Sequence, residues 1–95
     1  MYAVIFRATM AKVDEEYYRT AKRLRDLAIN DYGCVNFVSM MEGNVEIAIS
    51  YWETEAQIAQ WKNDPIHKVA QAKGRQGWYE SYSVEVCKVE RAYGS

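Results

Sequence analysis

The first stretch of the chain, Met1 to Ala8 (MYAVIFRA), is β-branched and aromatic and is stopped by the polar Lys12–Asp14 segment, which predicts a strand. The period then changes. Tyr17, Ala21, Leu24, Leu27, Ala28 and Tyr32 recur at three- and four-residue spacing, the apolar stripe of a long amphipathic helix. Asp14 stands at its N-cap position, Glu15 and Glu16 suit its positive end, and Gly33 supplies the stop. Cys34–Glu42 and Val45–Trp52 read as two strands joined by a Gly43-Asn44 hairpin. The first is largely apolar on both sides. In the second, Val45, Ile47, Ile49 and Tyr51 share one side, and Glu46, Ala48, Ser50 and Trp52 the other. Thr54 and Gln57 have capping-box spacing ahead of a short helix with Ile58 and Trp61. Asp64 and Pro65 restart the chain as N-cap and N1 of another helix, which Gly74 closes. Trp78 to Tyr93 completes the pattern as a long strand with Tyr82, Val84 and Val86 on one face.

The order β-α-β-β-α(α)-β is that of the split βαβ, ferredoxin-like arrangement, an α+β fold. It predicts a four-stranded antiparallel sheet with all helices on one face. The other face is then uncovered, although the strands make it apolar. Large contiguous apolar surfaces are unusual on monomers. The expectation is therefore a homodimer, two sheets packed through their open faces.

The 95 residues suffice for one domain, 1–95, with a modest core. Twelve basic and 13 acidic residues, well interspersed, give a net charge of −1 and leave no basic stripe for a nucleic acid. No apolar run approaches the ~20 residues of a membrane span and no leader segment is apparent, so a cytoplasmic location is expected. Cys34 and Cys87 fall in strands without CxxC or His-Cys spacing, which points to small core residues and not to a disulfide or a metal pair. One histidine without neighbouring ligands predicts no metal site.

That histidine is the main chemical candidate. His67 lies in a segment, Tyr51 to Tyr82, that also holds all three tryptophans. On a helical wheel His67 and Gln71 share a stripe on the shoulder of the buried face, with Val69, Ile66 and Ala70 toward the sheet. A shoulder position is where a pocket between helix and sheet would open. An imidazole there could accept a proton from a phenol or hydroquinone, and Gln71 could orient it or hold a substrate oxygen. Trp61, Trp78 and Tyr82 would supply flat walls suited to an aromatic small molecule. Spacing alone leaves a second reading open, in which His67 is a satisfied core residue and the aromatics merely pack helix to sheet. Glu80 and Glu85 read as solvated or paired with Lys88 and Arg91.

The run Tyr51-Trp52-Glu53, followed by Trp61, His67, Gln71, Gly74, Trp78-Tyr79, Tyr82 and Val89-Glu90-Arg91-x-Tyr93-Gly94, closely resembles the antibiotic biosynthesis monooxygenase domain family over nearly the whole chain. The resemblance implies a dimeric α+β barrel with a pocket between helices and sheet. It also implies an activity among those of the family: cofactor-independent oxidation of phenols or quinols by O₂, or haem degradation. In the haem-degrading branch Trp61 matches the helix tryptophan, but the axial histidine falls at Gln71 and the first-strand asparagine near Phe6 or Arg7. With the axial donor missing, haem is disfavoured. The resemblance thus favours an oxidoreductase without metal or flavin, with His67 and Gln71 as catalytic residues. A non-enzymatic dimeric ligand-binding or stress-related protein is the alternative.

Overall fold

Four strands alternate with helical segments in the order that the hydrophobic pattern predicts. The computed structural model describes residues 1–95, and the elements are β1 (Tyr2–Met10), α1 (Glu15–Asp31), β2 (Asn36–Glu42), β3 (Val45–Trp52), α2 (Glu55–Lys62), α3 (Pro65–Lys73) and β4 (Tyr79–Lys88). The sheet order is β2-β3-β1-β4 and the neighbours run antiparallel. This is the ferredoxin-like α+β fold.

Local chemistry sets most of the boundaries. Asp14 caps α1 by accepting from the Tyr17 amide at 2.8 Å. Thr54 and Gln57 form both halves of a capping box on α2, each bond 3.2 Å long. Asp64 caps α3 by accepting from the Ile66 amide at 2.8 Å, and accepts the Tyr32 hydroxyl at 2.6 Å. The end of α1 is thereby tied to the start of α3. In the β2–β3 hairpin only Gly43 has positive φ, +60°, the pattern of a type II′ turn, which needs glycine at its first central position.

The chain departs from the sequence pattern in three places. Gly74 does not close α3: it stays right-handed (φ −58°, ψ −49°), and the chain continues through one π-helical turn, Gly74–Trp78. Glycine is required here by a close approach, since a Cβ at this position would run into the Tyr79 ring. Trp78 therefore ends this turn and does not open the last strand, which begins at Tyr79 and stops at Lys88, short of Tyr93. Val69 points outward, 57% exposed, and the inward stripe of α3 is His67, Ala70, Gln71 and Gly74. Gly74→Ala is expected to destabilise the fold by about 1–3 kcal/mol, because Tyr79 is already packed against Phe6 and Tyr17. Urea denaturation checks this, and an unchanged midpoint would contradict it.

The pairing Val4↔Ser50, Phe6↔Ala48 and Ala8↔Glu46 puts these residues on one face. The helices cover that face, forming two buried clusters. One holds Val4, Ala28, Cys34, Trp52, Ile58 and Trp61; the other holds Ala8, Met10, Tyr17 and Trp78. The opposite face carries Ile5, Ile47, Ile49 and Tyr51, together with Val38, 42% exposed, and Met40, 71% exposed. No helix lies on it. No helix of the chain is long and apolar enough to cross a membrane.

Candidate functional site

Between the two clusters the helix-covered face holds a partly open cavity of about 530 Å³. Trp61, His67, Gln71, Trp78 and Tyr82, which the sequence singles out, all line it. The capping box and the Asp64 cap aim α2 and α3 so that Trp61 and His67 meet, their rings edge to face at 4.4 Å. Trp61 is fixed in turn: its Nε1 donates to the Leu24 carbonyl of α1 at 3.1 Å, and its ring lies 5.3 Å from that of Trp52. Trp78, delivered by the π-helical turn, meets Tyr17 edge-on at 5.2 Å. Tyr82 stacks against Phe6 at 6.3 Å and, being 41% exposed, stands at the edge of the cavity. Gln71 lines the wall without a hydrogen bond to His67.

The imidazole is in an unusual state for an inward-facing polar group, because its Nδ1 is buried and has no hydrogen-bond partner. Burial pushes its pKa below the ordinary 6.5; its own backbone opposes this less strongly, and the smaller effects of Lys62 and Asp64 act downward and upward respectively. His67 is consequently a neutral base at pH 7, with a free nitrogen.

Two further polar residues of the cavity were not singled out from the sequence. Glu46 is 9% exposed, its Oε2 has no partner, and burial raises its carboxyl pKa above the ordinary 4.5. Arg25 donates through Nη2 to Ser39 Oγ at 2.6 Å and lies over the Phe37 ring at 5.3 Å, while its Nε is buried and unpartnered. Tyr79 also lines the wall. Its hydroxyl pKa is pushed up to about 12 by burial, then by Glu46 and Tyr82. The signal for these residues was a charge out of pattern. Glu46 lies on the strand side shared with Ala48, Ser50 and Trp52, and Arg25 lies between Ala21 and Ala28 in the apolar stripe of α1.

Arg25 Nε, Glu46 Oε2 and His67 Nδ1 are the three buried side-chain polar atoms of the chain that lack a partner, and all three residues line this cavity. Folded proteins pair nearly all such atoms. A ligand with polar groups of its own is the natural complement of this wall. Glu80 and Glu85 are exposed and make no ion pair; the pairs that form are Lys12–Asp14, Arg19–Glu15, Lys22–Asp26 and Lys73–Glu16.

No protein-family model matches the chain. The uncharacterized protein YqjZ of Bacillus subtilis is 40% identical over 91 residues, which are 95% of this chain and 80% of YqjZ. A jasmonate monooxygenase (ABM) of Pyricularia oryzae is 31% identical over 93 residues, 94% of this chain but 43% of that larger protein. Among solved structures, the cofactor-independent oxygenase SnoaB of Streptomyces nogalater superimposes with a TM-score of 0.81 at 12% identity, covering 99% of this chain and 97% of SnoaB. A Nitrosomonas europaea protein provisionally described as an antibiotic biosynthesis monooxygenase gives 0.78 at 14% identity over 96% and 100% of the two chains. At these identities the structural likeness is one of fold, while YqjZ is similar over most of its length. The chain belongs to one family with YqjZ, and its fold is the one seen in SnoaB and the Nitrosomonas europaea protein.

Proposed function

We propose that this protein is a cofactor-independent monooxygenase acting with O₂ on a phenolic or quinol-type small molecule. The observation that carries this reading is the aromatic-walled cavity holding three unpartnered buried polar groups, one of them a neutral imidazole. The monooxygenase relative from Pyricularia oryzae and the cofactor-independent SnoaB, described as such, support the reaction class.

His67 accepts the phenolic proton, which leaves an electron-rich phenolate ring that reduces O₂ directly. For a phenol converted to a quinone, one oxygen atom becomes the new carbonyl and the other leaves as water. The substrate supplies all four electrons. Trp61, Trp78 and Tyr82 position the ring and keep bulk water away, and Gln71 holds a substrate oxygen. Neither metal nor flavin takes part.

The active form is a homodimer joined through the open sheet face, where Ile5, Ile47, Ile49 and Tyr51 would otherwise stay in water. Light scattering should return twice the 11.0 kDa chain mass at low micromolar concentration. A single-chain mass would refute the dimer. Purified, metal-free protein should consume O₂ with members of a hydroquinone and naphthol panel and form no product anaerobically. Saturable binding of those phenols with no O₂ uptake would overturn the oxygenase reading in favour of a non-enzymatic binding protein. A haem titration is expected to show no Soret shift.

A further inference from the structure

His67 is the third residue of α3, in a first turn whose amides must find partners outside the helix proper. One residue serves them all. Asp64 takes the Ile66 amide on Oδ1 at 2.8 Å and the Lys68 amide on its backbone carbonyl at 3.0 Å, and the His67 amide also stabilises its carboxylate. A nine-residue helix has little stability of its own, and its first turn frays unless it is held. The position of the imidazole therefore depends on the position of Asp64.

What holds Asp64 in place is Tyr32. From the C-cap of α1 its hydroxyl donates to Asp64 Oδ2 at 2.6 Å, the length of a charge-assisted bond. That hydroxyl is the main reason the Asp64 carboxyl lies below its ordinary range, and Asp64 in turn pushes the Tyr32 hydroxyl up, so the proton stays on the tyrosine. The Tyr32 ring packs against the first cluster and does not line the cavity. Trp61, which meets His67 edge to face, is fixed to the same helix through the Leu24 carbonyl. Both members of that contact are thus anchored on α1, one through Leu24 and the other through Tyr32. A second link between α3 and α1, the Lys73–Glu16 pair, lies about 9 Å farther along the axis of α3 than His67.

We propose that Tyr32 is a positioning residue for His67, acting through Asp64: their hydrogen bond sets the first turn of α3 and so holds the imidazole against Trp61 and toward the cavity. This rests on the proposed function, in which His67 accepts the phenolic proton. Tyr32 does not line the cavity, so loss of its hydroxyl should cost turnover and not binding.

His67 is the sole histidine, so its ring-proton NMR signals report its titration directly. The charged groups acting on it are Lys62 of α2 and Asp64, and Lys22, Arg25 and Glu46 stand on the cavity wall. Tyr32→Phe keeps the ring in the cluster and removes only the hydroxyl; circular dichroism checks that it folds. Its His67 midpoint should move up toward 6.5, because a loosened turn admits water and the Asp64 charge loses its partner. Asp64→Asn can still cap α3 and accept the hydroxyl, so the ring stays shielded and the lost charge moves the midpoint lower. Glu16→Gln, which opens the other link, should leave it in place. In an O₂-electrode assay with a phenol, Tyr32→Phe should lower kcat about tenfold with KM within about twofold, and Asp64→Asn should hold kcat within about threefold. A midpoint or a kcat unmoved in Tyr32→Phe, a loss carried by KM, an upward move in Asp64→Asn, or equal upward moves in Tyr32→Phe and Glu16→Gln would overturn the proposal. If the wild type oxidises no phenol, the oxygenase reading falls, and the midpoints alone decide whether Tyr32 holds the imidazole.

Discussion

His67→Ala is expected to lower kcat/KM for oxidation of a phenol by about 10²–10⁴-fold, the usual contribution of a positioned general base. The expectation rests on the state of the imidazole, which is inward-facing, neutral at pH 7 and free at Nδ1. KM should move much less than kcat, because the aromatic walls that hold the ring stay in place. His67→Phe keeps an aromatic ring against Trp61 and should lose as much activity, which separates proton transfer from packing. The pH profile gives a second readout. Since burial holds the folded pKa below 6.5, the acid limb of kcat/KM should lie below pH 6.5 and vanish in both variants. Stability follows the same shift. A lowered folded pKa contributes stability that is fully present above pH 6.5 and is lost as pH falls through the folded value. The wild type should therefore lose more urea resistance between pH 7.5 and 5 than His67→Ala does. An O₂-electrode assay showing kcat/KM unchanged in His67→Ala would remove the histidine from the mechanism.

Trp52→Ala should destabilise the fold by about 3–5 kcal/mol. Trp52 is completely buried, stacks near Trp61 and donates its indole N–H to Ser50 Oγ at 2.8 Å. Truncation opens a void in the cluster that supports Trp61, and it leaves the buried Ser50 hydroxyl without its donor. Against a typical total of about 5–15 kcal/mol for a folded domain, this is a large fraction. The urea midpoint should fall with the slope unchanged. Trp52→Phe, which retains most of the volume, should cost visibly less. A loss under about 1 kcal/mol in the alanine variant would mean that the cluster repacks and that Trp52 does not support the site wall.

Features governed by neighbours in the chain were legible before any coordinates. The caps at Asp14, Thr54 and Asp64, the Gly43-Asn44 turn and the two faces of β3 all follow from local hydrogen-bonding needs and period-two alternation. So was the family pattern that gathered Trp61, His67, Gln71, Trp78 and Tyr82, residues that do line one cavity. What escaped depends on contacts between distant segments. Nothing local marks Gly74 as the residue over which the Tyr79 ring folds, and a glycine at a helix end looks like a stop. The rotation of α3, nine residues long, is set by its packing on α1, on Trp61 of α2 and on the π-helical turn, so Val69 faces out and the His67 stripe faces in. Arg25 and Glu46 carry no local mark of an inward position, because charge usually means solvent. The burial of the Arg25 Nε and of Glu46 becomes visible only when the helix is laid on the sheet.

The cavity draws on every element: Val4 and Phe6 of β1, Arg25 of α1, Phe37 and Ser39 of β2, Glu46 of β3, Trp61 of α2, His67 of α3, Trp78 of the π-helical turn and Tyr82 of β4. No subset of the chain retains the binding surface once one element detaches. Occupancy and global unfolding are thus linked in one equilibrium. A ligand at a hundred times its Kd should add about 2.7 kcal/mol to the stability of the entire molecule. For a chain of this size that corresponds to a rise in Tm of roughly 10–20 °C. Heat resistance is therefore a direct gauge of whether a test compound fills the cavity, since a molecule bound there would act as a late-arriving piece of the core.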